Sequence, residues 1–135
     1  MSPADNTYRD LTDLQVDLLE VLWNREEATV ADVQETLLGD RGLATSTVAT
    51  LLSRLEKRGV VTHRVDGRQY VYRAQVSREQ VRDSMVSALT YKMFSGDVAE
   101  LVNHLLTDAE TSPGDLARVK RLIARKTEEL EGTDV

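Results

Sequence analysis

Between Leu43 and Arg73 the hydrophobic period switches from helical to alternating, and that switch restricts the fold more than any other feature of the chain. From Leu43 to Gly59 the apolar residues Val48, Leu51, Leu52 and Leu55 recur at the i, i+3, i+4, i+7 spacing of one buried helix face. The opposite face carries Ser46, Thr47, Thr50, Ser53, Arg54, Lys57 and Arg58, with no acid before Glu56. Thr45 is placed to cap the start, and Gly59 stands where a left-handed stop is wanted. Then Val60 to Val65 and Arg68 to Arg73 flank Asp66-Gly67, which reads as a two-residue type I′ hairpin turn. Pairing Val65 with Arg68 puts Val61, His63, Tyr70 and Tyr72 on one face, turned toward the helices. Arg64 and Arg68 then lie close to the turn.

Two further helices precede this unit. Thr12-Asp13-Leu14-Gln15 fits a capping box and opens a helix over 12–24, with Leu14, Leu18, Leu19 and Leu22 as its buried stripe and Trp23 near its end. Residues 1–10 are polar and are expected to fray. Thr29 caps a shorter helix over 30–38 with Asp32 in its first turn; Val30, Val33, Leu37 and Leu38 are core candidates, and Gly39 and Gly42 bracket a polar loop. Downstream, Ser77-Arg78-Glu79-Gln80 is another capping box, opening a helix to about Phe94. Asp97 caps a short helix through Leu106, and Ser112-Pro113 starts the last, since proline suits the first helical position. A boundary near residues 75–76 divides a helix–hairpin domain (1–75) from a helical region (76–135).

Total charge is −6, yet residues 41 to 73 hold seven basic and two acidic side chains, a net of +5 that leaves −11 for the rest. Local field attracts a polyanion at close range, because salt screens beyond about 10 Å. The chain contains no cysteine, which excludes disulfides, thiolate metal sites and cysteine nucleophiles. No apolar run approaches the roughly 18 residues that cross a bilayer, and the first residues lack the pattern of a signal peptide, so no membrane insertion and a cytoplasmic location are expected.

Three helices followed by a two-stranded hairpin describe a mainly α fold of winged helix-turn-helix type. In that geometry the third helix enters the major groove, which admits a helix and displays a distinct pattern for each base pair. Ser46, Thr47 and Thr50 would offer hydroxyls to base edges, and Ala49 and Thr50 methyl contacts to thymine. Ser53 shares that face, Arg54 and Lys57 would bind phosphates, and Arg64 and Arg68 would add backbone contacts that position the protein without reading sequence.

The order of elements and the run Thr47-Val48-Ala49-Thr50-Leu51-Leu52-Ser53-Arg54-Leu55-Glu56-Lys57-Arg58-Gly59 resemble the BlaI/MecI family of penicillinase repressors. The likeness extends from Leu11 to about Leu130 and includes Trp23, His63 and Tyr70-Val71-Tyr72. It implies a homodimeric repressor on a palindromic double-stranded DNA operator, joined through residues 77–131. Thr47, Thr50 and Arg54 match recognition-helix positions of the family; Ala49 departs from the basic residue some members carry. Copper-responsive relatives use a C-terminal cysteine cluster, which this chain lacks. Other members are cut by a membrane-bound sensor protease after an asparagine; the nearest match is Asn103-His104, without the large apolar residue expected next. Release by proteolysis, by another signal, or no release at all stay open alternatives.

The dimerisation stripes are Val81, Met85 and Leu89, then Leu101 and Leu105, then Leu116, Val119 and Ile123. His63 is expected to be a packed, hydrogen-bonded ring and His104 a packing or dimer contact, so no metal or cofactor site is expected. No P-loop, dinucleotide fingerprint or Ser-His-Asp arrangement is present, so the chain is not read as an enzyme. The rival reading is a winged-helix protein-interaction module without a DNA-binding role.

Overall fold

The computed structural model describes residues 8–108 and 110–133. In chain order the elements are α1 (Asp13–Arg25), β1 (Ala28–Thr29), α2 (Val30–Arg41), α3 (Thr45–Lys57), β2 (Val61–Asp66), β3 (Gln69–Ala74), α4 (Arg78–Phe94), α5 (Val98–Asp108) and α6 (Pro113–Thr133). The fold is mainly α, a winged helix-turn-helix followed by further helices. Two compact units divide it, one through Leu89 and a second from Thr90.

In the first unit, Leu18, Leu19 and Leu22 of α1 meet Val33 and Leu37 of α2, Val48, Leu52 and Leu55 of α3, and Val60, Val61 and Tyr72 of the sheet in one core. At about 25 cal/mol per Å² of apolar surface removed from water, this cluster is the main source of stability for so small a unit. Leu14 and Leu51, expected in the buried stripes, are only partly buried. The side chain of Leu38 lies outside the described residues.

Caps act largely as the spacing predicts. Thr12 and Gln15 close a full capping box, and the Ser77/Gln80 and Ser112/Asp115 pairs bond reciprocally in the same way. Thr45 is the exception. The cap position of α3 belongs to Ala44, which makes no side-chain cap bond, while the Thr45 hydroxyl donates to Gln34 Oε1 at 2.6 Å. Gln34 Nε2 in turn donates to the Leu43 carbonyl at 3.0 Å, so Thr45 serves the α2–α3 turn instead of the helix end. Nor does α2 stop at Gly39: it runs on to Arg41, since one helical glycine costs only about 1 kcal/mol. The C-terminus of α3 closes as a Schellman motif, with Val60 N–H donating to the Leu55 carbonyl and Gly59 N–H to the Glu56 carbonyl, both at 3.0 Å. Gly59 takes φ +76° there, a conformation with a steric cost for any L side chain.

The hairpin differs from expectation by one residue. Asp66 pairs with Gln69, Val65 with Tyr70 and His63 with Tyr72, so the two-residue turn is Gly67-Arg68 and not Asp66-Gly67. Gly67, at φ +64°, then holds the first central position, as in a type II′ turn, and its turn partner Arg68 needs no positive φ. Moving the register by two positions in total leaves each side chain on its expected face. The buried part of that face is confined to the base of the wing: Val61 and Tyr72 are covered, whereas Val65 and Tyr70 near the tip are exposed. A third strand was not foreseen. β1 pairs with β3, Ala28 opposite Tyr72 and Thr29 opposite Val71, giving the antiparallel order β1-β3-β2.

The expectation that residues 1–10 fray is corrected for the part described. Tyr8 N–H donates to Ser84 Oγ at 2.8 Å, Leu11 is buried, and Asp10 pairs with Arg58 at 2.9 Å; residues 1–7 lie outside the described residues. The first turns of α4 also pack on this unit, through buried Val81 and Ser84. Trp23 Nε1 donates to the Val76 carbonyl at 2.8 Å, and Arg78 lies over the indole while gripping Glu20 at 3.1 and 2.7 Å.

In the second unit, Ser95 and Gly96 adopt positive φ between α4 and α5, and Asp97 caps α5 by accepting the Glu100 N–H at 3.1 Å. Phe94 meets the His104 ring edge-on at 5.8 Å. Val98, Leu105, Leu116, Leu122, Ile123 and Leu130 are all exposed in the single chain.

Candidate nucleic-acid interface

Ser46, Thr47, Thr50, Ser53, Arg54 and Lys57 all lie exposed along α3, with Ala49 partly covered beside them. Because Val48, Leu52 and Leu55 are fully buried, α3 cannot rotate about its axis without losing the core, and its hydroxyl-rich face is fixed outward. Ser46, Thr47, Thr50, Leu51 and Arg54 line a shallow recess of about 230 Å³. A partly apolar floor beneath hydroxyls and one guanidinium suits a base edge that carries a methyl or an acceptor. Thr50 contributes differently from expectation. Its hydroxyl donates to the Ser46 carbonyl at 2.9 Å, so the proton is engaged within the helix and the oxygen remains as an acceptor on an exposed residue.

The wing stands beside this helix. His63 Nδ1 lies 2.5 Å from Glu56 Oε2 and its ring stacks on Tyr70 at 3.9 Å, joining the base of the wing to the last turn of α3. His63 is thus the hydrogen-bonded ring that its place in the strand predicts, and among the described residues no cluster of metal-ligating side chains is present.

Arg68 sits in the turn itself, exposed at the tip of the wing. Arg54, Lys57 and Arg68 make no ion pair among the described residues. Arg64 is placed otherwise. Its Nε and Nη2 donate to Glu27 Oε2 and Oε1 at 3.0 and 2.9 Å, a two-point grip between exposed side chains. Hydrogen bonding to Arg64 holds the Glu27 carboxyl below the usual range, with the charges of Arg64 and Arg73 adding to it, and the same bond raises Arg64. Glu27 was not foreseen. It stands outside every periodic stretch and reaches Arg64 only because the short strand β1 is stitched to β3.

A three-helix core, an outward hydroxyl-bearing third helix and a basic two-stranded wing define a DNA-binding regulator of the winged-helix class. The chain belongs to the penicillinase repressor family, whose model matches residues 11–125. It is 34% identical over 110 residues to the transcriptional regulator BlaI of Mycobacterium tuberculosis, covering 80% of each chain. It is also 18% identical over 122 residues to the methicillin resistance regulatory protein MecI of Mammaliicoccus sciuri, covering 90% of this chain and 99% of that one. Among solved structures, a Staphylococcus aureus MepR mutant bound to an oligodeoxyribonucleotide shares the fold, with TM-score 0.52, 19% identity, and coverage of 94% of this chain and 86% of that one. The protein is a DNA-binding transcriptional repressor. No helix among the described residues is long and apolar enough to cross a membrane.

Proposed function

We propose that the repressor binds a palindromic operator as a homodimer, reading bases with Ser46, Thr47, Ala49, Thr50 and Arg54 and gripping the backbone through Ser53, Lys57 and Arg68. The observation that carries this reading is the recess on α3, flanked by cations that have no acidic partner among the described residues. Arg54 changes role: lining the recess with Thr47 and Thr50, it is assigned to a base edge in place of a phosphate. Arg64 is kept as a wing contact that must first exchange Glu27 for phosphate.

Residues 76–135 supply the dimer contacts in this reading, with α4 packing on the winged helix through its first turns and continuing beyond Leu89. Support comes from apolar side chains that a lone chain leaves in water, among them Leu89, Leu105, Leu116 and Ile123. Leu101 and Val119 are only partly exposed, while Val81 and Met85 of the same expected stripe are engaged in the first unit. Two-fold symmetry then matches two half-sites about one helical turn, or a multiple, apart. The bond between Asn103 and His104 lies within α5, so a sensor protease would need that helix to open locally before cutting. A scaffold role without DNA is not favoured, since the relatives are transcriptional regulators.

The test is selection of bound sequences from random duplex DNA, followed by a salt titration. Binding to a palindrome whose log affinity falls with log salt at about −0.9 per phosphate contact supports the reading. Salt-insensitive binding, or none to any selected duplex, would refute it.

A further inference from the structure

The register of the sheet places three charged residues on one face. Ala28 and Thr29 of β1 stand opposite Tyr72 and Val71 of β3, and Val71 stands opposite Arg64 of β2. Side chains alternate along each strand, so Arg64 and Arg73 share the face of Val71, away from His63, Tyr70 and Tyr72. Glu27, just before β1, reaches across this face to Arg64 and lies close enough to Arg73 to feel its charge.

A carboxylate held by the Nε and Nη2 edge of a guanidinium occupies the same fork that a phosphate takes in a two-point contact. Glu27 therefore presents Arg64 with an internal stand-in for the DNA backbone. We infer that Glu27 sets the strength of the wing's grip on DNA, by competing with phosphate for the guanidinium of Arg64. Both side chains are exposed, so the pair adds little to stability and can exchange readily. Binding DNA through Arg64 expels the Glu27 carboxylate from the fork, and its charge then stands near the phosphates. That penalty is independent of base sequence and holds down affinity for all duplexes. This inference rests on the DNA-binding reading of the wing.

The experiment compares the full chain with Glu27→Gln, Arg64→Ala and the double variant on a fluorescent duplex of random sequence and on a selected palindrome. Glutamine keeps the size of the side chain and removes the charge. Glu27→Gln should tighten both duplexes several-fold, because Arg64 then reaches its phosphate without first displacing a carboxylate. In the Arg64→Ala background the same change should lose most of its effect. Equal affinities for the wild type and Glu27→Gln overturn the inference, as does weaker binding by Glu27→Gln, which would make the carboxylate a support that orients Arg64 for DNA. A gain that persists without Arg64 also overturns it, because Glu27 would then act as an ordinary surface charge. No binding by any of the four proteins overturns the DNA reading itself, and the inference with it.

Discussion

Glu56, in the last turn of α3, and His63, on the first strand of the wing, meet at 2.5 Å between Oε2 and Nδ1. The contact spans the tight turn at Gly59 and fixes how the wing leaves α3. His63 is held on its other side by the ring of Tyr70, and Tyr72 leans on both. Wing and helix are thereby joined into one surface, the one that the proposed reading turns toward DNA.

Breaking this contact should loosen the wing more than it unfolds the protein. Glu56→Ala is expected to cost about 1 kcal/mol, the scale of one partly exposed hydrogen bond. Amide exchange in β2 and β3 should accelerate while that of α1 stays unchanged. Equal acceleration in both regions would mean that Glu56 supports the whole core.

Base reading and backbone grip should separate under mutation. Thr50→Ala removes an exposed methyl and an acceptor oxygen and should relax preference at one base pair per half-site, at about 1–3 kcal/mol. Lys57→Ala or Arg68→Ala should weaken all sequences about equally and reduce the salt slope by about 0.9 per lost contact. Competition binding on single-base operator variants measures both effects.

The exposed apolar face of α6 should be the point at which the assembly breaks. Ile123→Glu places a charge among Leu116, Leu122 and Val119, and should give a monomer in sedimentation at micromolar concentration. Operator affinity should then fall steeply, because the second half-site no longer benefits from high effective concentration. A monomer that keeps full affinity would refute the dimer reading.

Acid should weaken the start of α2. Thr29 donates its N–H to Asp32 Oδ2 at 3.0 Å, and its Oγ1 accepts the Asp32 N–H at 3.1 Å. The backbone bond from Thr29, then its side-chain bond, hold the Asp32 carboxyl below the ordinary value of 3.8. With the folded pKa below the unfolded one, the unfolded chain takes up the proton first. The stabilisation is present above the ordinary value and is lost as pH falls through the lowered one. Asp32→Asn should therefore be less stable than wild type at neutral pH and lose less on acidification, as read by urea unfolding across that range.

The sequence alone determined the elements whose signals are local. Four apolar residues at helical spacing fixed which face of α3 is buried, and hence that Ser46, Thr47, Thr50 and Arg54 face outward, because burying Val48, Leu52 and Leu55 leaves no other orientation. Reciprocal caps at Thr12, Ser77 and Ser112 needed only neighbours three residues away. Hairpin faces survived the shift of the turn to Gly67-Arg68, since side-chain alternation has a period of two and the register moved by an even number. Only the tertiary structure decided what depends on distant partners. Thr45 turned from cap to inter-helix tie because Gln34 comes within 2.6 Å of it. The two-residue strand β1 is too short to carry a period of its own and exists because β3 offers an edge to pair with. That pairing brings Glu27 to Arg64, 37 positions away in the chain. Charge pattern marked Arg64 as a backbone contact on the wing, but an ion pair is a relation in space, and only the folded sheet supplies the second residue.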